Sequence, residues 1–324
     1  MAERKRLIVA DTTELVTAPG SQTGPGAGRV SRRPARLPKP LQAVVRLAGI
    51  VPFAAYIILG LFIPLIAVLI GAFQNSSTGA WTFSNIDIAA HGAYLKGFEN
   101  SLELSLIASI VPGIFGLLIA YAIFTAKGRG STGLRQMVIT ASGVFANFGG
   151  VPLAFLFIAS LASTALITGW LNNIGVNPYA HGFTLFDLAG VAVVYMYFQI
   201  PLMVLIILPA LEGLRPAWRE AAENLGARSW SYWRHVGGPV LMPSFLSCLM
   251  LLFGSALSAY ATAAALTGGT IALVPIQIGN LLNGNVVAGQ GNVGKALSLG
   301  LVLIISLLMV LYVMLQRRAA KWLR

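Results

Sequence analysis

The residues of this sequence best spaced for chemistry are Gly289-Gln-Gly-Asn-Val-Gly294-Lys295. Glycines so placed let backbone N–H groups close on phosphate oxygens, and the following lysine reaches the terminal phosphates. The next position of that pattern must be Ser or Thr to hold magnesium, and here it is Ala296. No buried strand precedes the stretch, so it reads as a glycine-rich loop and not as a nucleotide site. The three histidines, His91, His181 and His235, are too scattered to share a metal ion. A single cysteine, Cys248, excludes an internal disulfide framework or a thiolate cluster, and reads as a small packing residue. No HExxH, no GxSxG and no pair of acids on one face of an apolar run is present. The chain is read as non-catalytic, with no metal and no cofactor.

The elements around these residues are set by hydropathy. The chain is 56% hydrophobic and 10% charged, with a mean hydropathy of +0.78, outside the range of soluble domains. About 20 apolar residues carry an α-helix across the hydrocarbon. Six such runs stand out, roughly 48–73, 101–125, 137–162, 186–210, 240–265 and 297–316. They are too long and too uniformly apolar for barrel strands. The expected fold class is an all-α membrane protein with six transmembrane helices.

The net charge of +12 invites a nucleic-acid reading, but its distribution does not support one. Nine Lys and Arg precede the first span, three lie in 126–136, four in 211–239 and four after 316. The remaining loops hold only Lys96 and Lys295. That asymmetry puts both termini in the cytoplasm and makes the basic balance a matter of topology. Residues 1–44, rich in Pro, Gly, Ser and basic side chains, are expected to be a disordered cytoplasmic tail. Residues 45–324 then form the transmembrane domain.

Between the fourth and fifth spans lies RPAWREAAENLGARSWSYWRHVGGP, Arg215 to Pro239, which holds most of the charge in the second half of the chain. It reads as a helix, a glycine turn and a second short helix. Pro216 suits a first helical position, Gly226 a left-handed helix end, and Ser229 a cap for the second helix. Glu220-Ala221-Ala222, then Gly226-Ala227, Val236 and Pro239, resemble the EAA loop of bacterial ABC-importer permeases of type I. The family usually has Leu before the proline, and Gly238 departs from that, which predicts a looser lead into the fifth span. Asn100-Ser101-Leu102, followed by Gly116 and Ala120-Tyr121, is similar to the start of that family's transmembrane core.

The polar residues within spans leave two readings open. Span 3 carries Asn147, Gly149-Gly150 and Pro152, where the backbone either unwinds along a substrate path or packs tightly with Asn147 as interhelical glue. In span 4, Tyr195 and Gln199 should point inward, as pore lining or as structural hydrogen bonds. By the resemblance, Ser255 and Ser258 of span 5 are further candidates for the path.

The resemblance implies an inner-membrane permease subunit forming half of a pore, partnered by two ABC ATPase subunits. A second permease copy or paralogue and an extracytoplasmic solute-binding protein complete the assembly, embedded in the lipid bilayer and with no nucleic acid. Glu220, Ala221, Ala222, Gly226, Ala227, Val236 and Pro239 become its ATPase-docking residues. The implied substrates are a polyamine first, then iron(III), thiamine, a phosphonate or a sulfate-like anion. The alternative is a secondary transporter or channel working without ATP; it requires ionisable residues inside the spans, and these are nearly absent.

Overall fold

An apolar run in hydrocarbon must satisfy its own backbone N–H and C=O groups, which leaves the helix as its form. The computed structural model describes residues 51–126, 128, 131–283 and 290–320. The expected tail, residues 1–44, lies outside them. Val51–Tyr56 fall in a separate unit from Ile57–Arg324, and the unit that begins at Ile57 is the one laid out below. Six helical stretches are long and apolar enough to cross a membrane: Val51–Ala72, Gly92–Thr125, Val151–Asn173, Leu188–Glu212, Ser229–Ser258 and Gly291–Met314.

In order, a π-turn at Ile58–Phe62 leads into α1 (Ile63–Ala72), followed by α2 (Ser84–Ala89) and α3 (Gly92–Thr125). The third run divides into α4 (Ser131–Asn147), α5 (Val151–Leu161) and α6 (Leu166–Asn173). After a 3-10 turn at Pro178–His181 comes α7 (Leu188–Glu212), which Asp187 caps by accepting from the Gly190 N–H at 2.9 Å. The charged stretch forms α8 (Pro216–Asn224), α9 (Ser229–Tyr232) and a π-turn at Trp233–Gly237. Then follow α10 (Gly238–Ser258), α11 (Ala261–Thr267), α12 (Val274–Leu282) and α13 (Gly291–Ala320).

The central pair is α3 against α7. Their approach depends on Gly116, since a Cβ there would lie 2.5 Å from that of Met203 and 2.9 Å from the Ile200 carbonyl oxygen. Small residues at such a crossing let backbones meet where lipid supplies no hydrophobic drive. Around this pair stand α10, packed on both, and α4, packed on α7. Over its most apolar stretch α7 is 56% buried, against none in the first span and 6% in the last, so α1 and α13 lie at the edge of this unit.

Four expectations need correction. Span 3 is not one helix over 137–162: α4 ends at Asn147, and the stretch long and apolar enough to cross a membrane is Val151–Asn173. Span 2 begins at Gly92 and not at 101, because Asn100 and Ser101 lie inside the helix. There they tie α3 to the lead into α12: Asn100 Nδ2 donates to the Ala272 carbonyl at 3.0 Å, and Ser101 Oγ accepts from the Val274 N–H at 2.9 Å. Span 5 is not one helix over 240–265; it ends at Ser258 and restarts at Ala261. The lead into span 5 is tight and not loose. A Cβ on residue 238 would lie 2.5 Å from the Trp233 carbonyl oxygen, which accepts the Gly238 N–H to close the π-turn. Glycine is what lets that turn form.

Candidate functional site

Pro216 occupies the start of α8, where its missing N–H costs no hydrogen bond. The helix ends at Gly226, whose φ of +73° a side chain disfavours. There the Gly226 N–H donates to the Glu223 carbonyl at 2.9 Å and the Ala227 N–H to the Ala222 carbonyl at 3.0 Å. This pair of bonds is a Schellman cap, and it fixes the turn between α8 and α9. Ser229 does not cap α9; Arg228 holds that position and no side chain bonds the helix end.

The two sides of α8 differ in kind. Glu220 and Glu223 line a cleft of about 380 Å³ with Arg215 and Arg219. Arg219 Nε donates to Glu223 at 2.9 Å, and this bond holds the guanidinium above its usual pKa. Glu220 is exposed and makes no ion pair among the described residues. Ala221 and Ala222 instead border an apolar groove of about 330 Å³ with Trp218, Leu225 and Val236. The structure thus gathers Ala221, Ala222 and Val236 on one surface, while Glu220 belongs to the other. Pro239 stands in the first turn of α10. Leu225, 87% exposed, is a surface feature that the sequence reading did not single out.

A second grouping forms where two spans break. The helix stops at Asn147 and resumes at Val151, and between them Gly150 has φ 76° and ψ −152°, a region almost closed to other residues. Its N–H donates to Thr262 Oγ1 at 2.8 Å, across to the first turn of α11. Span 5 breaks at Ala259-Tyr260, and the freed Ala259 carbonyl accepts from the Tyr195 hydroxyl at 2.8 Å. Four residues on, Gln199 Nε2 donates to the Leu252 carbonyl at 2.8 Å, while its Oε1 is buried without a partner among the described residues. Both side chains are fully buried, so α7 is bonded to α10 on either side of one helical turn.

Other candidates take up different positions. Asn147 is exposed and bonds the Gly143 carbonyl of its own helix at 2.8 Å, so it bridges no pair of helices. Ser258 is exposed and donates back to the Gly254 carbonyl at 2.9 Å, and Ser255 is half-buried. His91 bonds the Asp87 carbonyl on the surface, and no cluster able to hold a metal occurs among the described residues. Gly291–Lys295 lie in the opening turns of α13, and the Lys295 side chain rests over Gly71 of α1. Gly289 falls outside the described residues. The ion pair between Arg135 of α4 and Glu212 at the end of α7 was also missed, since 77 residues separate its partners.

No family model matches the chain. It is similar to the sulfate transport system permease protein CysT of Escherichia coli (strain K12), 26% identical over 205 residues, 63% of this chain and 69% of that protein. It is also similar to CysW, the sulfate transport system permease protein of Synechocystis sp., 23% identical over 249 residues, 75% of this chain and 83% of that one. Among solved structures it resembles a chain of a bacterial ABC transporter involved in the import of the acidic polysaccharide alginate. That match has a TM-score of 0.68 at 18% identity and covers 86% of this chain and 96% of that one. The same transporter in complex with alginate pentasaccharide-bound periplasmic protein matches equally, with a TM-score of 0.68. The fold is that of ABC importer permeases. A polyamine branch finds no support, since these curated relatives are sulfate permeases.

Proposed function

We propose that this chain is the transmembrane permease subunit of an ATP-driven ABC importer in a bacterial plasma membrane, forming half of its translocation pore. The observation that carries this reading is the exposed hairpin α8–α9 between spans 4 and 5, with an acid in no ion pair among the described residues on one side of α8 and an apolar groove on the other. Two ATPase subunits, a second permease copy or paralogue and an extracytoplasmic solute-binding protein complete the machine. The permease hydrolyses nothing itself. The proposed substrate is a sulfate-like oxyanion, consistent with the names of the curated relatives. The scarcity of acids in the spans fits that choice, because a carboxylate at low dielectric would repel an anion strongly.

Coupling follows from how the hairpin is joined to the spans. Glu220 meets a cation of the ATPase groove, while Ala221, Ala222 and Val236 admit an apolar projection. Gly226 and Ala227 hold the turn through their cap, and Pro239 carries motion into α10. When the ATPase dimer closes, α7 and α10 reorient together, because Tyr195 and Gln199 bond one to the other. In this reading Tyr195 and Gln199 set the position of the break, and Asn147, Ser255 and Ser258 line the path beside it.

The test is a pull-down of the tagged chain from its own cells, wild type beside Glu220→Arg. An ATPase subunit recovered with wild type and depleted at least tenfold with the variant is the expected result. A variant that retains the ATPase and still couples ATP use to uptake overturns the docking role of Glu220. No ATPase with either protein overturns the importer reading.

A further inference from the structure

Where the cytoplasmic end of α3 meets the π-turn, Tyr121 and Trp233 stand edge to face with ring centroids 5.3 Å apart. Both rings border two spaces. On one side is the charged cleft of Glu220, Glu223, Arg215 and Arg219. On the other is a groove of about 320 Å³ lined by four leucines, Leu117, Leu118, Leu211 and Leu241, with Trp230 at its edge. A partition with charges on one face and leucines on the other marks a boundary between water and hydrocarbon. Aromatic rings collect at that depth because one end is apolar and the other polar. Water is a poor occupant of the groove, since each molecule needs two to four polar partners. Leu118 is 57% exposed and Trp230 75%, so the groove opens to the outside of the subunit.

Its rim is basic. Arg234 stands four residues after Trp230 along α9 and the π-turn, which puts it on the same side as that indole. Arg228 precedes the first turn of α9. Both arginines are exposed and neither makes an ion pair among the described residues. We propose that this groove binds an acyl chain of an inner-leaflet phospholipid with an anionic headgroup, its phosphate held by Arg234. Guanidinium groups suit a phosphate through paired N–H donors. The walls come from α3, α7, α9, the π-turn and α10, so the chain wedges between the spans and the hairpin. Movement of the hairpin against α3 then depends on the lipid present. The site requires only that the hairpin be cytoplasmic, and it stands whether or not an ATPase docks there.

The full-length chain is placed in nanodiscs of phosphatidylcholine with a small fixed fraction of acyl-brominated phosphatidylglycerol or acyl-brominated phosphatidylcholine. The Trp230 contribution to fluorescence is the difference between wild type and Trp230→Phe. The expected result is quenching of Trp230 by both lipids, with an apparent affinity about fivefold or more higher for the phosphatidylglycerol, the weight of one basic side chain beside an anionic surface. Arg234→Gln, a surface change, removes that preference, and Arg228→Gln leaves it. Equal quenching by the two lipids in wild type overturns the headgroup site, and no quenching by either overturns the lipid site. Quenching that appears only after deletion of residues 1–44 assigns the groove to the tail. Quenching lost when the purified ATPase is added assigns it to the ATPase. Either of these last two results also overturns the proposal.

Discussion

The break in span 3 rests on one backbone conformation, and Gly150→Ala tests it. At φ 76° and ψ −152° an L side chain costs about 1–3 kcal/mol. Packing adds little, because the new Cβ would lie 3.9 Å from the Cβ of Ala261 and 4.0 Å from the Cδ of Pro152, ordinary contact distances. If the chain relaxes to negative φ, the 2.8 Å bond to Thr262 is lost as well, for about 1 kcal/mol more. A total of about 2–4 kcal/mol corresponds to a fall of roughly 3–6 °C in Tm for a chain of this size. Gly149→Ala is the control, since that residue has no positive φ and nothing stands within 4 Å of its would-be Cβ. Thermal unfolding of both variants in detergent reads the difference directly, and uptake in reconstituted vesicles reads its consequence. Thr262→Val combined with Gly150→Ala should cost less than the sum of the two, because both remove the same bond. Equal Tm values for Gly150→Ala and Gly149→Ala would refute the unwound turn.

Two further substitutions probe how the hairpin is joined to the spans. Gly238→Leu, which places the family's usual residue there, forces a Cβ against the Trp233 carbonyl and should cost about 1–3 kcal/mol. The π-turn then re-forms as α-helix, and less substrate is moved per ATP hydrolysed while the ATPase stays bound; unchanged coupling in vesicles would contradict the role given to the turn. Tyr195→Phe removes the donor to the Ala259 carbonyl and should lower stability by about 1 kcal/mol, read as a shift in Tm. An unaltered Tm would mean that the freed carbonyl finds another partner.

Much of the molecule was legible in the chain because hydropathy and charge act locally. A run of apolar residues has only the helix as a solution in lipid, and Lys and Arg stay where translocation leaves them. Six helical stretches long and apolar enough to cross a membrane therefore follow without tertiary information, and the charge asymmetry gives their expected orientation. The hairpin was legible for a similar reason: Pro216 can start a helix but not continue one from before, and Gly226 can end one, whatever lies nearby.

What the sequence left open depended on distant partners. Asn147, Gly149 and Gly150 suit both close packing and unwinding, and the second arrangement is the one observed, with Thr262, 112 residues away, accepting the Gly150 N–H. The break after Ser258 had no signal of its own, since Ala259-Tyr260 is ordinary helical sequence; the Tyr195 hydroxyl accepts the burden of the freed carbonyl there by donating to it. Gly238 looked like a loosening, but the turn brings the Trp233 carbonyl so close that any side chain would collide with it. Arg135 and Glu212 pair across 77 residues, a contact no local pattern encodes. Hydropathy and charge distribution determined which segments are spanning helices and which side of the membrane their loops are expected to take. Only tertiary packing decided where those helices break, because a backbone leaves its helix in lipid only when another element supplies the hydrogen bonds it gives up.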